Sequence, residues 1–557
     1  MSSTVVDQPA SAARDRPRIS AGVASALSVL AFGLAVGSGQ LVAGLVSPVS
    51  APYWAVADEV VRLAPPWLVE LGKKLSLPAL GLGVGRADKV GLLAGVGVLL
   101  LALAVLAGLL SRYSARPGRR VLLGVGALGL VAVYASPVFG PLDLLAPLAS
   151  IAAGLISFRW LHETALAATL GPNDLVEIPT RPGENPDSRG VVSRRGALGA
   201  GALGAGVLGS GAVVGVGAVG TGVLGNLLGA GTDIDSSRVE TAPRLRTGVP
   251  APPIPAGADF VADGTPSFLT SNADFYRIDT ALSVPVWAAS DWSMRVHGMV
   301  ERELTLRYSD LLRRPLVERT ITLCCVSNEV GGSLISTTNF VGVDLRELLL
   351  EAGVAPGAEQ LFSTSKDGWT AGTPLDVVLE PGRGSMLALG MNGGPLPLEH
   401  GYPVRMVVPG LYGYVSATKW LADLELTTFD ARQPYWLERG WAQLAPIKTE
   451  SRIDKPNPSD RVPAGRVTVA GIAWAQHRGI AAVEVSVDGG PWQPAQLAAV
   501  VNSDTWRMWR AFVTVPAGDH IVTARATDAT GVPQTAEVVG PAPDGATGYP
   551  TVRFTAT

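Results

Sequence analysis

The first 232 residues consist of long, uncharged apolar runs that are separated by short charged segments. A helix of about 20 apolar residues is long enough to cross the hydrocarbon core of a bilayer. The pattern therefore predicts five membrane spans, of which the fourth is the shortest. They are Ile19–Ala57, Gly91–Ser111, Val121–Leu142, Leu144–Phe158 and Gly196–Thr232.

The second half has a different pattern, in which short β-rich runs alternate with helical patches. Thr320–Val326 is predicted as a strand and Leu345–Leu350 as a small helix. Val467–Gly471 and Val483–Val487 alternate apolar and polar residues with a period of two, and Asp488–Gly490 is typical of a hairpin turn. These patterns predict a mixed α+β domain followed by an immunoglobulin-like β-sandwich.

Changes in pattern along the chain suggest five parts. Five prolines within residues 236–259 are typical of an extended linker. We predict a cytoplasmic tail at 1–20, a transmembrane region at 21–232, a Pro-rich linker at 233–259, the mixed α+β domain at 260–445 and the sandwich at 446–557.

Arginine positions predict the orientation, because cytoplasmic loops are enriched in Lys and Arg. Arg14, Arg16 and Arg18 precede the first span, and further Arg clusters lie at 112–120 and 181–195. With five spans both clusters fall on the cytoplasmic side, and residues 233–557 lie outside the cell membrane.

A pair of arginines before the last span has two interpretations. Ser193–Leu198, with Arg194 and Arg195, resembles an internal twin-arginine export signal, which carries folded and often cofactor-loaded domains. The alternative is a plain positive anchor for the span.

Composition excludes several classes of protein. Charged residues make up 16% of the chain, against about a quarter in soluble domains, so a single soluble globular domain is excluded. Two Cys are too few for an iron–sulfur or Cys-rich zinc protein, and of five His, His162 alone lies near a span, which argues against a two-His transmembrane haem. Residues 231–557 hold 27 Lys and Arg against 35 Asp and Glu, which argues against a nucleic-acid partner.

Two adjacent thiols, Cys324 and Cys325, lie where a predicted strand runs into a polar, Gly-containing loop. A thiolate at such a position is a soft ligand for a redox metal. Alternatively, both cysteines are small buried apolar residues, as free Cys often is.

A second polar set follows in Met391–Gly410 and Ser416–Leu421. His400, Arg405 and Lys419 flank a short apolar strand there. Three donors of this kind suit an organic ligand that carries phosphate, although each residue taken singly is equally typical of a surface or cap.

Together these segments resemble the sulfite oxidase family of molybdopterin enzymes, in an actinobacterial-type, membrane-anchored form. The family's Cys-x-x-Asn motif is matched by Cys325–Asn328, and its long Met-Asn-Gly run by Met391–Gly410, which leads to Lys419–Leu421. The resemblance covers roughly residues 255–445. Val483–Trp492 resembles the family's C-terminal domain, which often mediates dimerisation.

The resemblance implies a role for each matching residue. Cys325 would bind the molybdenum of a Mo-pyranopterin, while Cys324 would serve packing. Trp441 stands at the position of a substrate-site Tyr in the family. The expected contacts to the pterin and its phosphate are Tyr276, Arg277, Asp367, His400, Arg405, Ser416, Ala417, Thr418 and Lys419.

Departures from the family pattern bear on the substrate. Sulfite oxidases carry basic residues after the Cys motif, whereas this chain has Glu329 and Val330, and Trp441 replaces the expected hydroxyl. The resemblance then favours a sulfoxide or related S- or N-oxide over sulfite as the small-molecule substrate. An external electron-transfer partner, a cytochrome or a quinone-linked protein, would supply electrons.

Three hypotheses are kept for the whole chain. The first is a membrane-anchored, extracytoplasmic molybdenum oxidoreductase that transfers an oxygen atom to or from an S- or N-oxide, with sulfite oxidation or dehydrogenation as its alternative. The second is a non-catalytic receptor or scaffold with the same fold. The third is a transporter with a sensing ectodomain, which the spans alone favour.

Overall fold

The computed structural model describes residues 18–47, 50–63, 86–136, 139–168, 230–282 and 284–557. The chain divides into two compact units, Met1–Gly231 and Thr232–Thr557. The predicted span at 196–232 lies almost entirely outside the described residues, as do the Arg cluster at 181–195 and the twin-arginine pair.

The first unit is helical where it is described. Four stretches are long and apolar enough to cross a membrane: Ala21–Val46, Gly91–Leu110, Arg116–Ala135 and Pro141–Leu166. The helices are α1 (Ala21–Val46), α2 (Pro52–Leu63), α3 (Arg86–Leu110), α4 (Arg116–Ala135) and α5 (Leu145–Ala168).

Small residues bring α1 and α5 close together. A Cβ built on Gly39 would lie 3.0 Å from Ser150 Cβ, and one built on Gly154 would lie 2.9 Å from Ala35 Cβ. Helices that lack large side chains at the contact can approach closely, which is how helices associate in a membrane.

The fourth span is longer than the sequence predicted. We expected it to end at Phe158, but α5 continues to Ala168. Arg159 and Glu163 form an ion pair at 2.9 Å across one helical turn, and the His162 ring stacks on Phe158 at 4.1 Å. The polar residues are thus accommodated within the helix instead of ending it.

The second unit begins with a helix where an extended linker was expected. It is α6 (Ala230–Thr241), which ends just before Pro243, the first of the linker prolines. Beyond it, Gly248 N donates to Leu316 O at 2.9 Å, and Glu318 N donates to Val249 O at 2.9 Å. The stretch is therefore bonded to the domain that follows.

Two five-stranded sheets organise residues 293–427. One has the order β2-β1-β10-β5-β6; the other has the order β3-β4-β7-β8, with β9 also paired to β7. The strands are β1 (Ser293–Gly298), β2 (Leu304–Arg307), β3 (Leu316–Cys324), β4 (Ile335–Asp344), β5 (Gln360–Ser365), β6 (Thr370–Pro374), β7 (Met386–Met391), β8 (Gly394–Pro395), β9 (Arg405–Val407) and β10 (Leu421–Thr427); the short helices are α7 (Tyr308–Leu312), α8 (Leu345–Ala352), α9 (Leu375–Leu379) and α10 (Gly413–Ser416).

One glycine allows β4 and β7 to pair closely. A Cβ on Gly342 would lie 1.9 Å from Leu387 O, so a side chain there is incompatible with this pairing. The core of this region is fully buried and includes Leu323, Leu387 and Tyr402. The predicted strand at 320–326 and helix at 345–350 correspond to the C-terminal part of β3 and to α8.

Two further sheets share one core in the C-terminal region. Val469, Val485, Trp509, Val522 and Phe554 belong to that core and come from both sheets. The strands are β11 (Glu450–Lys455), β12 (Arg461–Val462), β13 (Gly465–Trp474), β14 (Ile480–Val487), β15 (Gln493–Pro494), β16 (Gln496–Leu497), β17 (Arg507–Val515), β18 (Gly518–Asp528) and β19 (Thr551–Ala556).

The period-two segments predicted from the sequence lie in β13 and β14. The turn after β14 has positive φ at Asp488 (52°) and Gly489 (71°), as the Asp-Gly signal predicted. The region is rich in sheet, while an immunoglobulin-type topology stays a prediction.

Candidate active site

A closed loop presents the second cysteine directly after β3. Cys325 N donates to Leu334 O at 2.9 Å, and Asn328 N donates to Cys325 O at 3.0 Å. The Asn328 side chain is buried, and its Oδ1 accepts a bond from Leu334 N at 2.8 Å. The Asn of the Cys-x-x-Asn motif therefore holds the loop shut around the cysteine backbone.

The two thiols have different neighbours. The charges that act on Cys324 include Glu450 and Arg452 of β11, whereas Ser327 bonds to Cys325. Burial raises the pKa of both thiols. A thiolate at either position therefore requires a compensating cation, and a bound metal is one.

Tyr276 connects the cysteine to the basic residues. Its backbone N donates to Ser336 Oγ of β4 at 3.2 Å. Burial raises the pKa of the Tyr276 phenol well above its usual value, and the nearby charges are Cys325 and Arg405. Phe275 stacks beside Tyr276 at 5.4 Å and meets the edge of His400 at 5.3 Å.

Lys419 and Arg277 share one carboxylate, Asp279. Lys419 Nζ donates to Asp279 Oδ2 at 2.5 Å and to Glu399 O at 3.1 Å. Arg277 Nε donates to the same Asp279 oxygen at 2.9 Å. Burial lowers the pKa of Lys419 to about 8, and Asp279 opposes this shift.

Arg405 is a buried cation whose hydrogen-bonding capacity is incompletely used. The residue is 6% exposed, and Nη1 donates to His400 O at 3.4 Å. Its buried Nε has no partner within the part of the chain that the structure describes. Burial lowers the pKa of the guanidinium to about 10.

Asp367 lies near the Asp279 and Lys419 pair. Burial raises the pKa of its carboxyl, and the charges that act on it are Asp279 and Lys419. Its Oδ1 accepts a bond from Trp369 N at 3.1 Å in the turn between β5 and β6.

The segment 416–419 is positioned by bonds within the domain. Ser416 Oγ donates to Leu411 O at 2.9 Å, and the Thr418 and Ser363 hydroxyls bond at 2.7 Å. Ala417 N donates to Gly413 O at 3.1 Å. These bonds therefore fix the shape of the segment, and Lys419 is its charged residue.

The 398–401 turn approaches Lys419 closely because Gly401 has no side chain. Its φ is +110°, and a Cβ there would lie 3.1 Å from Lys419 Cα. The Trp420 indole donates to Leu398 O at 2.7 Å, which fixes the turn against the Lys-Trp-Leu segment.

Trp441 belongs to an aromatic cluster next to these residues. Its ring packs at 5.8 Å against both Tyr414 and Trp436. Tyr414 follows Gly413, where an added Cβ would lie 3.7 Å from Tyr276 Oη. The cluster therefore adjoins Tyr276 through α10.

Two residues of this region were missed at the level of sequence. Asp279 is one, although it stands two positions after Arg277, which places both on the same side of an extended segment. Tyr435 is the other: burial raises its pKa, and the charges that act on it are Arg439 and Asp367. No sequence motif includes Tyr435, because only the fold brings Asp367 close to it.

Comparisons with known proteins agree on one family. The model of the oxidoreductase molybdopterin binding domain matches residues 281–436. Sulfite oxidase of Gallus gallus is 30% identical over 313 residues, which are 47% of this chain and 67% of that protein. The uncharacterized oxidoreductase YuiH of Bacillus subtilis is 33% identical over 150 residues, which are 27% of this chain and 72% of that protein.

This chain belongs to the sulfite oxidase family. A solved structure, the sulfane dehydrogenase SoxCD from Paracoccus pantotrophus, is 24% identical, with a TM-score of 0.43 over 51% of this chain and 79% of that chain. The chain spans about half the length (54%) of human mitochondrial sulfite oxidase. The resemblance to the family is confirmed, while its actinobacterial-type, membrane-anchored form stays a prediction; the protein is a molybdenum-dependent oxidoreductase.

The residues present fit the molybdopterin cofactor that the family implies. The buried Arg405 Nε has no acceptor among the described residues, and a phosphate oxygen is an acceptor of the kind it lacks. When all are ionised, the site has a net positive charge, because it has three cations, Arg277, Arg405 and Lys419, and two carboxylates, Asp279 and Asp367. The Cys325 thiol, which lies near Tyr276, adds a soft ligand.

Stability should depend on pH through His400. Burial and the repulsion of Arg405 lower the pKa of this imidazole to about 4, against about 6.5 when unfolded. Between about pH 6.5 and 4 the unfolded chain therefore binds a proton that the folded protein does not, so stability falls as pH falls. From pH 7 to pH 5 the cofactor-free wild type should lose about 1–2 kcal/mol more than His400→Gln, measured by urea unfolding.

His520 supplies a control of opposite sign. Asp488 and Pro516 O bond to its ring and raise its pKa. His520→Gln should therefore lose more stability than wild type from pH 7 to pH 5. Equal pH dependence in His400→Gln and wild type would show that His400 is not held neutral by the fold.

Proposed function

We propose that this protein is a membrane-anchored, extracytoplasmic molybdenum enzyme that transfers an oxygen atom to or from a sulfoxide or a related S- or N-oxide. The observation that supports the proposal most is that Cys325 and the buried cation Arg405 both lie close enough to Tyr276 for their charges to act on its phenol. Arg405 is a buried cation whose Nε has no partner among the described residues, and this supports a bound anion over a receptor or scaffold that has lost the chemistry.

Each site residue has a role in this proposal. Cys325 binds the metal, and Tyr276, Asp367 and His400 contact the pterin. Arg277, Arg405 and Lys419 neutralise the phosphate, for which the 416–419 backbone supplies further donors. The bound cofactor supplies the two-electron chemistry of oxygen-atom transfer.

The two cysteines give a matched test of the metal site. Cys325→Ser barely changes volume and removes the soft ligand, so the domain should fold but lose at least about 100-fold in activity, the usual scale for losing a metal ligand or its support. Cys324→Ser should stay near wild type, because its thiol lies beside Glu450 and Arg452. The readouts are near-UV circular dichroism and turnover with an artificial electron donor.

The opposite results would show that the Cys motif has been aligned one residue too far along the chain. If Cys324→Ser lost activity while Cys325→Ser kept it, Cys324 would be the metal ligand and the roles assigned above would be wrong.

The aromatic cluster supports an organic oxide as substrate. Trp441 replaces the hydroxyl expected at this position of the family and packs with Tyr414 and Trp436. Val330 replaces a basic residue and lies near Gly548 and Val538 of the C-terminal region. Large apolar rings favour a bulky and weakly charged molecule over a small dianion. Glu329 is exposed, so its charge is screened and contributes less to this argument.

Sulfite oxidation is the second candidate. Several relatives are named sulfite oxidases, and Arg277, Arg405 and Lys419 form a cationic set. In the proposal above these cations are committed to the phosphate of the cofactor, which leaves fewer for an anionic substrate.

Assays in both directions distinguish the two substrates. The purified, molybdenum-loaded protein should reduce a sulfoxide with an artificial electron donor at least about tenfold more efficiently than it oxidises sulfite, a difference of 1.4 kcal/mol in transition-state binding. Efficient sulfite oxidation without sulfoxide turnover would instead support the second candidate.

The membrane region is proposed to be an anchor that leaves residues 233–557 outside. The arginines at 112–120 and 181–195 support this orientation. Further proposals are an internal twin-arginine-like signal, an external cytochrome or quinone-linked electron partner, no haem or iron–sulfur cluster in this chain, and a homodimer formed through the C-terminal region.

Reporter fusions test the orientation. A reporter that is active only outside the cytoplasm, fused after Thr557, should be active. Replacing Arg194 and Arg195 together with Lys should block export if the twin-arginine interpretation holds, and leave it intact if the pair is a plain anchor. Activity of a cytoplasmic reporter at the same position would contradict the five-span topology.

A further inference from the structure

The C-terminal region bonds to the edge of β3 that faces away from β4; β3 is the strand that leads to Cys325. Thr322 N donates to Asp504 O at 2.9 Å, and Asn502 Nδ2 donates to Thr320 O at 3.0 Å. On the same edge, Trp506 N donates to the Thr322 hydroxyl at 2.8 Å. β3 pairs with β4 on its other side, and Gly248 and Val249 bond to Leu316 and Glu318 at the start of this edge, so the bonds from 502–506 cover the part of the edge nearest Cys325.

The loop after Cys325 is held from both sides. From within, Asn328 Oδ1 binds Leu334 N, and a Cβ on Gly332 would lie 2.6 Å from that oxygen. From outside, Arg452 Nη1 of β11 donates to Gly332 O at 3.2 Å. The guanidinium is itself oriented by Asp454, which accepts from Nε at 2.7 Å.

Strand β11, which carries Arg452, also carries the buried carboxyl of Glu450 near the thiols. Glu450 is 4% exposed, and burial raises its pKa to about 8. Gln534 Nε2 lies 3.4 Å from Glu450 Oε2 and donates at 2.7 Å to Gly548 O, near Val330. β11 therefore contributes to the packing of both the strand end and the loop.

We propose that Arg452 is a positioning residue for the cofactor-binding cysteine, so that the C-terminal region sets the orientation of Cys325 as well as any contact between subunits. This inference rests on the proposed function, in which Cys325 binds molybdenum. The connection runs from the Arg452 guanidinium to Gly332 O, through the Asn328 bonds, to the Cys325 backbone.

The test compares Arg452→Ala with a control in the same region. Arg525→Ala removes a similar ion pair, to Glu484 at 2.8 Å, between the paired strands β18 and β14. The readouts on the full-length holoprotein are the electron paramagnetic resonance spectrum of Mo(V) and hydrogen exchange at the amides of residues 325–334. A structural loss elsewhere in the domain would not move the Mo(V) spectrum.

Arg452→Ala should shift the Mo(V) spectrum and speed exchange at the Asn328 and Leu334 amides about tenfold, the scale of one net hydrogen bond. Arg525→Ala should match wild type in both readouts. If Arg452→Ala does not fold, Arg452→Lys keeps a charge beside Asp454, reaches Gly332 O less well, and should show the same changes.

Wild-type spectra and exchange rates in the folded Arg452 variant would overturn the inference while leaving the proposed function intact. A wild-type protein that binds no molybdenum would instead refute the proposed function. The exchange rates would still report whether Arg452 holds the loop.

Discussion

The candidate site depends on the burial of one thiol at the end of β3. Cys325 is 8% exposed, and burial raises its pKa, so its ionised form is unfavourable unless a cation compensates it. The loop bonds of Asn328 prevent the strand end from opening to water. A thiol held in this way would bind a soft metal as the thiolate, so metal binding would release its proton.

Burial also disfavours the charged form of the basic residues, whose pKa values it lowers instead of raising. Burial lowers the pKa of Arg405 to about 10 and that of Lys419 to about 8, and Asp279 compensates them incompletely. An anionic group bound between them would relieve this cost. Cys325 and Arg405 both act on the Tyr276 phenol, so a ligand that carries a soft metal and a phosphate would meet a group suited to each.

Local patterns predicted those parts of the structure that depend on local chemistry. The β-branched run to Thr322, the Asp488–Gly489 turn and the apolar helices follow from residue type and spacing. The placement of Cys325, Arg405 and Lys419 in one site was inferred from resemblance, because they come from distant parts of the chain. Asp279 was missed although Arg277 is close in sequence, because only the fold brings Lys419 to it. The fourth span was predicted to end at Phe158 because the charged Arg159 follows, whereas the helix continues to Ala168.

X-ray absorption at the molybdenum edge tests the central claim most directly, because it counts the sulfur neighbours of the metal. The full-length protein should bind molybdenum, and Cys325→Ser should have one sulfur neighbour fewer than wild type, while Cys324→Ser keeps the wild-type number. An unchanged sulfur count in Cys325→Ser with molybdenum still bound would contradict the assignment of this thiol as the metal ligand.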